Sequence, residues 1–145
     1  ILKIQNQDEK TIIQDRSIYE DAFIFAQNLY DSGRLNEVDY KTYRGLFNTI
    51  IKAVAPPDLI IYLKADLPKL MKQIHGRGRD YEMDIDPNYI ASLNQLYDKF
   101  ESQYDHGKFI TIEVDNLDFL NNPGDFKLIT EILEKNINIG TQLKI

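Results

Sequence analysis

The pattern of apolar and polar positions along the chain predicts strands that alternate with helices. Residues 59–63 form a run of five apolar side chains without alternation, which is typical of a strand covered on both faces, as in a parallel sheet. Further strands are predicted at 11–15, a short β-branched run that ends at an acid, and at 108–114. Because helices separate these strands, the pattern favours an α/β fold with right-handed crossovers.

Capping residues mark where the predicted helices begin. Ser17 and Glu20 have the spacing of a capping box, and the helix that follows has two apolar faces, so we expect it to be largely buried. Gly33 suits the position just beyond the end of this helix. The first apolar face comprises Ile18, Ala22, Phe25 and Leu29, and the second comprises Tyr19, Phe23, Ala26 and Tyr30.

Four more helices are predicted from similar signals. One begins after Asn36 and continues to about Val54, and the next begins after Asp66 and continues toward Gly76 or Gly78. A third helix opens at the N-cap and N1 pair Asp86 and Pro87, a fourth runs from about Asp125 to Asn136, and the third has its apolar face at Ile90, Leu93, Tyr97, Phe100 and Tyr104.

Composition narrows the class of protein. The chain has 145 residues, 43% of them hydrophobic, which fits a single domain with its own core. A net charge of −6 argues against binding of nucleic-acid polymers but leaves room for a small basic pocket. Cysteine is absent, and two histidines cannot form a multi-histidine metal site. No apolar run approaches the ~20 residues of a membrane span and no signal peptide is visible, so we expect no membrane partner and a cytoplasmic location.

The chain opens at Ile1 and not at Met, and residues 1–10 have the character of a helix already under way. We therefore expect a segment upstream of Ile1.

Polar residues follow the predicted strands, where ligands of open α/β sheets bind. Asp15 and Arg16 follow the first strand, and Asp115 and Asp118 follow the third. A carboxylate such as Asp15 can bind a metal ion or take a proton from a hydroxyl, and an arginine can steady a transferring phosphoryl group. An ion pair that brackets the helix start is the alternative interpretation of Asp15 and Arg16.

Asp21 lies among helical neighbours that are mostly apolar, Ser17, Ile18, Ile24 and Phe25. It is either an acid favoured by the positive end of the helix dipole or a pocket acid that hydrogen-bonds a ligand.

Arg77, Gly78 and Arg79 form another candidate group, after the helix that follows the second strand. The chain has five arginines against twelve lysines, and two of the five are here. Basic residues complement a helix end, but lysine would serve that purpose equally well. Two arginines followed by Tyr81 and Glu82 favour a loop that closes over phosphates, which a planar guanidinium grips well.

Three segments, in this order, resemble the deoxynucleoside kinase family, in particular the bacterial deoxyadenosine and deoxyguanosine kinases: DRSIYEDAFIFAQNLY, PPDLIIYLKAD and RGRDYE. The resemblance covers nearly the whole chain. It implies an α/β, P-loop-kinase-like parallel sheet flanked by helices, without its N-terminal strands, in one domain, 1–145, with a lid at about 76–82. It also implies ATP- and Mg²⁺-dependent phosphorylation of the 5′-hydroxyl of a deoxynucleoside in nucleotide salvage, by a homodimer.

The resemblance implies roles for individual residues as well. Asp15 is similar to the acid of the family's Glu/Asp-Arg-Ser motif, either as the base or as a neighbour of the magnesium ion, and Arg16 to the arginine that holds the substrate's 5′ end. Asp21 would read the base, and Arg77 and Arg79 would close on the ATP phosphates. The remaining matches are Glu82, expected to bind the sugar 3′-hydroxyl, and Asp118 and Phe119, expected to hold the adenine of ATP.

The sequence also departs from the family pattern. No Gly-rich P-loop that ends in Lys-Ser/Thr occurs in these 145 residues, and the family's second-strand glutamate and pocket aromatics are absent too. Gln73 stands where some relatives have another lid arginine. In the family the P-loop strand lies between the strands that match 11–15 and 59–63. We therefore expect the chain to be the C-terminal part of a kinase and to be inactive by itself.

Two other functions compete with this one. A nucleoside monophosphate kinase, such as thymidylate kinase, needs an extra basic contact beside Arg16 for the acceptor's phosphate, and Asp21 and Ala22 do not supply it. A non-catalytic α/β module that binds a nucleotide or a partner chain is the other alternative, since it would not need a P-loop.

Overall fold

The computed structural model describes residues 12–137, in which helices surround two parallel strands. The first helical segment consists of α1 (Ile18–Glu20), a π turn (Asp21–Phe25) and α2 (Ala26–Asp31). The elements that follow are α3 (Glu37–Ile50), β1 (Leu59–Lys64), α4 (Leu67–Arg77), a 3₁₀ turn (Asp80–Glu82), α5 (Pro87–Gln103), β2 (Lys108–Glu113) and α6 (Pro123–Asn136).

The two strands pair in parallel, and the register joins Leu59 to Lys108 and Lys64 to Glu113. The connection between the two strands contains α4 and α5, and a long crossover of this kind is the usual way to join parallel neighbours. The predicted α/β class is thus confirmed, and the predicted strands at 59–63 and 108–114 are present.

Helices cover the sheet through two apolar clusters. On one face, Ile60 and Phe109 pack with the first helical segment, α3 and α5. On the other face, Ile110 and Ile112 pack with residues of α6. The first cluster is rich in aromatic rings in edge-to-face contact, and its buried members are Tyr19, Ala22, Ile24, Phe47, Ile60 and Phe100.

The predicted strand at 11–15 is wrong for residues 12–15, which are irregular. A strand needs a hydrogen-bonded neighbour, and the two strands in the described ranges pair with each other. Ile13 is 87% exposed, which fits an unpaired segment. Thr11 and the helix character of residues 1–10 lie outside the described residues.

The expectation that residues 59–63 are covered on both faces is also wrong within residues 12–137. Ile61 and Leu63 are 38% and 42% exposed, whereas Ile60 and Tyr62 on the opposite face are buried. The reason is that α6 covers β2 on this side, around Ile112, and leaves the β1 side open.

The two predicted apolar faces of the first helical segment are corrected by the π turn. A π turn inserts one extra residue per turn and shifts the phase of every later side chain. Ile24, which belonged to neither predicted face, is therefore fully buried, and Leu29, which belonged to the first face, is 41% exposed. Asn28 is buried as well, and its side-chain amide donates to Ser92 Oγ at 2.7 Å.

The remaining helix boundaries agree with the predictions to within a few residues. The helix after Asn36 ends at Ile50 and not near Val54. Among residues 12–137, no helix combines the length and the apolarity that crossing a membrane requires.

Candidate functional site

Asp15 and Arg16 lie exposed in the turn that precedes α1. Arg16 has a left-handed backbone, with φ at 65°, and it is the one non-glycine residue of the described chain with a positive φ. Its guanidinium carbon lies 4.6 Å from the centroid of the Phe25 ring. This cation–π contact fixes the side chain next to the helix.

The predicted capping box at Ser17 and Glu20 is confirmed. The backbone N–H of Tyr19 donates to Ser17 Oγ at 3.2 Å, and the backbone N–H of Ser17 donates to Glu20 Oε2 at 2.9 Å. The serine hydroxyl also contacts the Glu20 carboxylate. Because Ser17 directly follows Arg16, the cap anchors the turn that carries both candidate side chains.

Asp21 is the first residue of the π turn, and its carbonyl oxygen accepts the N–H of Ala26. Its side chain is exposed, whereas the helical spacing of the sequence predicts mostly apolar neighbours for its carboxylate. Tyr43 of α3 lies close enough for Asp21 to act on it: burial raises the pKa of Tyr43, and the negative charge of Asp21 raises it further.

The pKa of Tyr97 of α5 is shifted by several charged residues of this region. Its ring stacks on Tyr62 of β1, with centroids 5.2 Å apart and planes 13° from parallel. Burial raises the pKa of Tyr97, the positive charge of Arg16 lowers it, and the negative charges of Glu20, Asp15 and Asp21 raise it. The charges of Asp15, Arg16 and Asp21 therefore all act on Tyr97.

The sequence predicts Tyr97 only as part of the apolar face of its helix and does not place it near the candidate acids. Its spacing of seven residues from Ile90 and Tyr104 is a packing signal, and it gives no information about α1. Only the tertiary contact between the first helical segment and α5 joins them.

The segment from Arg77 to Glu82 is a compact charged turn. Gly78 ends α4 with a left-handed backbone, φ 61°, as predicted for a C-terminal glycine. The Arg79 guanidinium donates to Glu82 Oε1 at 3.0 Å and to the Tyr81 hydroxyl at 3.2 Å. Arg77 lies 4.0 Å from the same Glu82 oxygen.

Glu82 differs from its two arginines in exposure. The arginine side chains are 54% and 53% exposed, whereas the residue Glu82 is 9% exposed. Its second oxygen, Oε2, is buried and has no hydrogen-bond partner among the described residues. An unpartnered carboxylate oxygen is costly to bury, which makes it a strong acceptor for a hydroxyl donor.

Asp118 and Phe119 lie in the loop after β2, at the same edge of the sheet as the end of β1. Asp118 is exposed, and its carboxylate accepts from the backbone N–H and the side-chain amide of Asn121, which lowers its pKa. Phe119 packs on the apolar cluster between the sheet and α6, which includes Ile112. Lys69 of α4 donates to the Leu117 carbonyl at 3.0 Å and so ties the loop to the start of α4.

Two further features bear on what this region can bind. Within residues 12–137, no three histidine or acidic side chains gather in a group that could hold a metal ion. A shallow cavity of about 120 Å³ contains none of the predicted site residues, and its lining comprises Phe23, Gln27, Arg44, Leu96, Lys99, Phe100 and Gln103.

Parallel strands with crossover helices define an α/β protein, and the exposed side chains of Arg16, Arg77 and Arg79 make a candidate phosphate-binding site. The model of the deoxynucleoside kinase family matches residues 1–138, and the chain belongs to this family. The P-loop-kinase-like fold expected from the resemblance is confirmed by a solved relative: the deoxyadenosine kinase of M. mycoides with bound dATP superposes with a TM-score of 0.72 at 29% identity, over 92% of this chain and 67% of that one.

Curated relatives of the chain are deoxynucleoside kinases as well. The deoxyadenosine/deoxycytidine kinase of Bacillus subtilis is 32% identical over 134 residues, and the deoxyadenosine kinase of Lactobacillus acidophilus is 35% identical over 142 residues. The alignments cover 86% and 91% of this chain. The chain spans 62% and 66% of the length of these two relatives.

Proposed function

We propose that the protein transfers the γ-phosphoryl group of ATP to the 5′-hydroxyl of a purine deoxynucleoside, deoxyadenosine or deoxyguanosine, in nucleotide salvage. Membership of the deoxynucleoside kinase family supports the reaction class. The observation that carries the proposal is that the exposed residues Asp15, Arg16 and Asp21 lie within seven positions at the start of the first helical segment, which packs against α5. This region offers a cation and two acids, the groups that a phosphorylated sugar end and an amino-bearing base require.

Arg16 would hold the 5′ end of the acceptor and neutralise charge on the transferring phosphoryl group. Asp21 would hydrogen-bond the amino group of the base, and its exposure supports this role because a ligand can reach it. Glu82 would accept the sugar 3′-hydroxyl on Oε2, the oxygen without a partner among the described residues. Arg77 and Arg79 would close on the ATP phosphates, for which their half-exposed guanidinium groups are available.

The ATP adenine would lie beside the loop that carries Asp118 and Phe119. Asp118 is exposed and can meet a ligand, whereas Phe119 packs in the core and would shape the loop from below.

The residues fit a magnesium ion held mainly by ATP. Mg²⁺ usually takes one or two protein carboxylates and several phosphate or water oxygens, and Asp15 is an exposed carboxylate beside Arg16. When bound, the ion would neutralise charge on the ATP phosphates. Asp15 would either hold it or accept the hydroxyl proton. We further propose, from the family resemblance, that the protein acts as a homodimer. A cytoplasmic location remains the expectation from the sequence.

The test is ATP-dependent phosphorylation by the protein expressed from its complete gene. Deoxyadenosine, deoxyguanosine, deoxycytidine, thymidine and thymidylate would be offered in parallel, with the 145-residue chain as a second sample, which we expect to be inactive. Turnover with a purine deoxynucleoside supports the proposal. Turnover with thymidylate alone would identify a nucleoside monophosphate kinase, and binding of nucleotide without any turnover would identify a non-catalytic module.

A further inference from the structure

Arg44 of α3 contacts the π turn that begins with Asp21. Its Nη1 donates to the carbonyl oxygen of Ala22, at a distance of 3.4 Å. Its guanidinium carbon lies 4.4 Å from the centroid of the Phe23 ring and 5.4 Å from that of Phe47. Arg44 therefore touches two consecutive residues of the turn, by a hydrogen bond and by stacking.

A π turn is rarely stable without help from tertiary contacts, and such turns are frequent at functional sites. Here the N–H of Ala26 donates to Asp21, five residues back, and the side chain of Arg44 adds a second donor within the same turn. Tyr43, the residue before Arg44, senses the charges of both Asp21 and Arg44. The start of the turn and the middle of α3 are thus neighbours.

We propose that Arg44 is a positioning residue for Asp21: its guanidinium holds the π turn in the register that presents the Asp21 carboxylate to the base, and so it sets base selectivity. This inference rests on the proposed function, in which Asp21 reads the base. The planar guanidinium matters because it stacks on Phe23 while one edge donates to Ala22. Lysine keeps the charge but has neither the plane nor the fixed fork.

The experiment compares Arg44→Lys and Arg44→Met with Asp21→Ala in the protein expressed from its complete gene. We would measure kcat/KM for deoxyadenosine, deoxyguanosine and deoxycytidine, and KM for ATP. Both Arg44 variants should change the ratio between the preferred nucleoside and the others at least about fivefold, the scale of one lost hydrogen bond. The ATP KM should stay within about twofold, because Arg44 has no proposed contact with ATP.

Hydrogen exchange of the Ala26 amide supplies a readout that needs no turnover. If Arg44 holds the turn, this amide should exchange at least about fivefold faster in Arg44→Met than in the unmodified protein. Lys41→Gln is the matched control, since Lys41 is an exposed cation of the same helix that pairs with Glu37. It should leave both the selectivity and the exchange unchanged.

Three results would overturn the inference: equal losses with all nucleosides, unmodified selectivity in Arg44→Lys, or unchanged exchange at Ala26 in Arg44→Met. Absence of phosphoryl transfer to every deoxynucleoside by the unmodified protein would instead defeat the proposed function and, with it, the assignment to base selectivity. In that case the exchange measurement still decides whether Arg44 holds the turn.

Discussion

Arg16 combines a strained backbone with the position proposed for phosphate contact. A left-handed conformation costs a residue with a Cβ about 1 to 2 kcal/mol, and such strain is most often kept at functional sites. The Phe25 ring under its guanidinium and the capping box at Ser17 hold Arg16 in place.

Substitutions at this residue should separate strain from function. Arg16→Ala and Arg16→Gly should each lower kcat by at least about 10³-fold, the scale of an arginine that stabilises phosphoryl transfer. The glycine variant should be about 0.5 to 1 kcal/mol more stable than the alanine variant, because glycine adopts φ 65° without steric cost. Deoxynucleoside kinase assays and urea unfolding would measure the two effects.

Arg34→Ala, at an exposed loop position, is the control for loss of a cation. An unchanged kcat in Arg16→Ala would remove the proposed catalytic role, and equal stability of the alanine and glycine variants would contradict the strain.

Tyr104 should make stability depend on alkaline pH. Its hydroxyl is buried without a hydrogen-bond partner among residues 12–137, and burial raises the pKa of Tyr104 to about 12. The unfolded chain releases this proton near pH ~10, before the folded protein does. The contribution of the protonated Tyr104 hydroxyl to the free energy of unfolding is therefore complete below about pH 10 and is lost as the pH rises toward 12.

Tyr104→Phe should be neutral or stabilising by up to about 1 kcal/mol at pH 7, because it removes a buried polar atom that has no partner. Its unfolding free energy should also fall less than that of the unmodified protein between about pH 10 and 12. Tyr89→Phe, at a partly exposed ring, is the matched control. Destabilisation of Tyr104→Phe by more than about 1 kcal/mol would show that the hydroxyl has a partner after all.

At the scale of the element, the helix starts were predictable because capping is local. Ser17, Asn36, Asp66 and Asp86 each accept a backbone N–H from within the first turn of their own helix, so a few consecutive residues contain the whole signal. The π turn was not predictable in this way. Its contact with Arg44 joins residues 22 apart along the chain, and no periodic pattern records such a contact.

Two glycines at the end of α4 should respond in opposite directions to the same substitution. Gly78→Ala should cost about 1 kcal/mol, because Gly78 has φ 61°. Gly76→Ala should gain about 0.5 to 1 kcal/mol, because Gly76 lies within the helix and an added Cβ meets nothing within 4 Å. Thermal or urea unfolding of the two variants would measure the difference.

The functional readout of this pair is the KM for ATP. It should rise in Gly78→Ala, in which the turn that carries Arg79 is displaced, and stay unchanged in Gly76→Ala. The same sign of stability change in both variants would contradict the left-handed helix end.

At the scale of the whole molecule, the open face of β1 is the main difference between the sequence pattern and the structure. The run at 59–63 is apolar throughout, yet Ile61 and Leu63 are about 40% exposed in the structure of residues 12–137. Exposed apolar side chains that lie next to each other, as Ile61 and Leu63 do, contribute to the surfaces through which proteins interact. The sequence expectation of coverage on both faces therefore stays testable in the protein expressed from its complete gene.

We expect Ile61→Ala and Leu63→Ala to cost about 2 to 4 kcal/mol each in that protein, as for core residues, and less than about 1 kcal/mol in the 145-residue chain. Val38→Ala, at a 73% exposed position of α3, is the control and should be close to neutral in both. Urea unfolding would measure these costs. Small costs in both proteins would mean that the face stays open.

The candidate site residues could be chosen from the sequence, but their contacts with one another could not. The candidate positions were found at the ends of predicted strands and in the RGRDYE segment. Both signals consist of the type and order of neighbouring residues, which the sequence contains directly. The sequence did not show that Arg77 and Arg79 converge on one oxygen of Glu82, or that Tyr97 stacks on Tyr62. Both depend on how separate elements pack, which local propensity does not determine.

The two oxygens of Glu82 would serve different substrates under the proposed roles. Oε1 pairs with Arg79, which would bind the ATP phosphates, and Oε2 would accept the sugar 3′-hydroxyl. A phosphate that draws Arg79 away would leave a buried carboxylate without its cation, a costly state that a hydroxyl donor on Oε2 would partly offset. Under the proposed roles, phosphate donor and acceptor would therefore strengthen each other's binding, and by thermodynamic reciprocity each would do so by the same factor. The short turn at the end of α4 would then work as a coincidence detector, favouring closure when both substrates are present and leaving ATP alone poorly held.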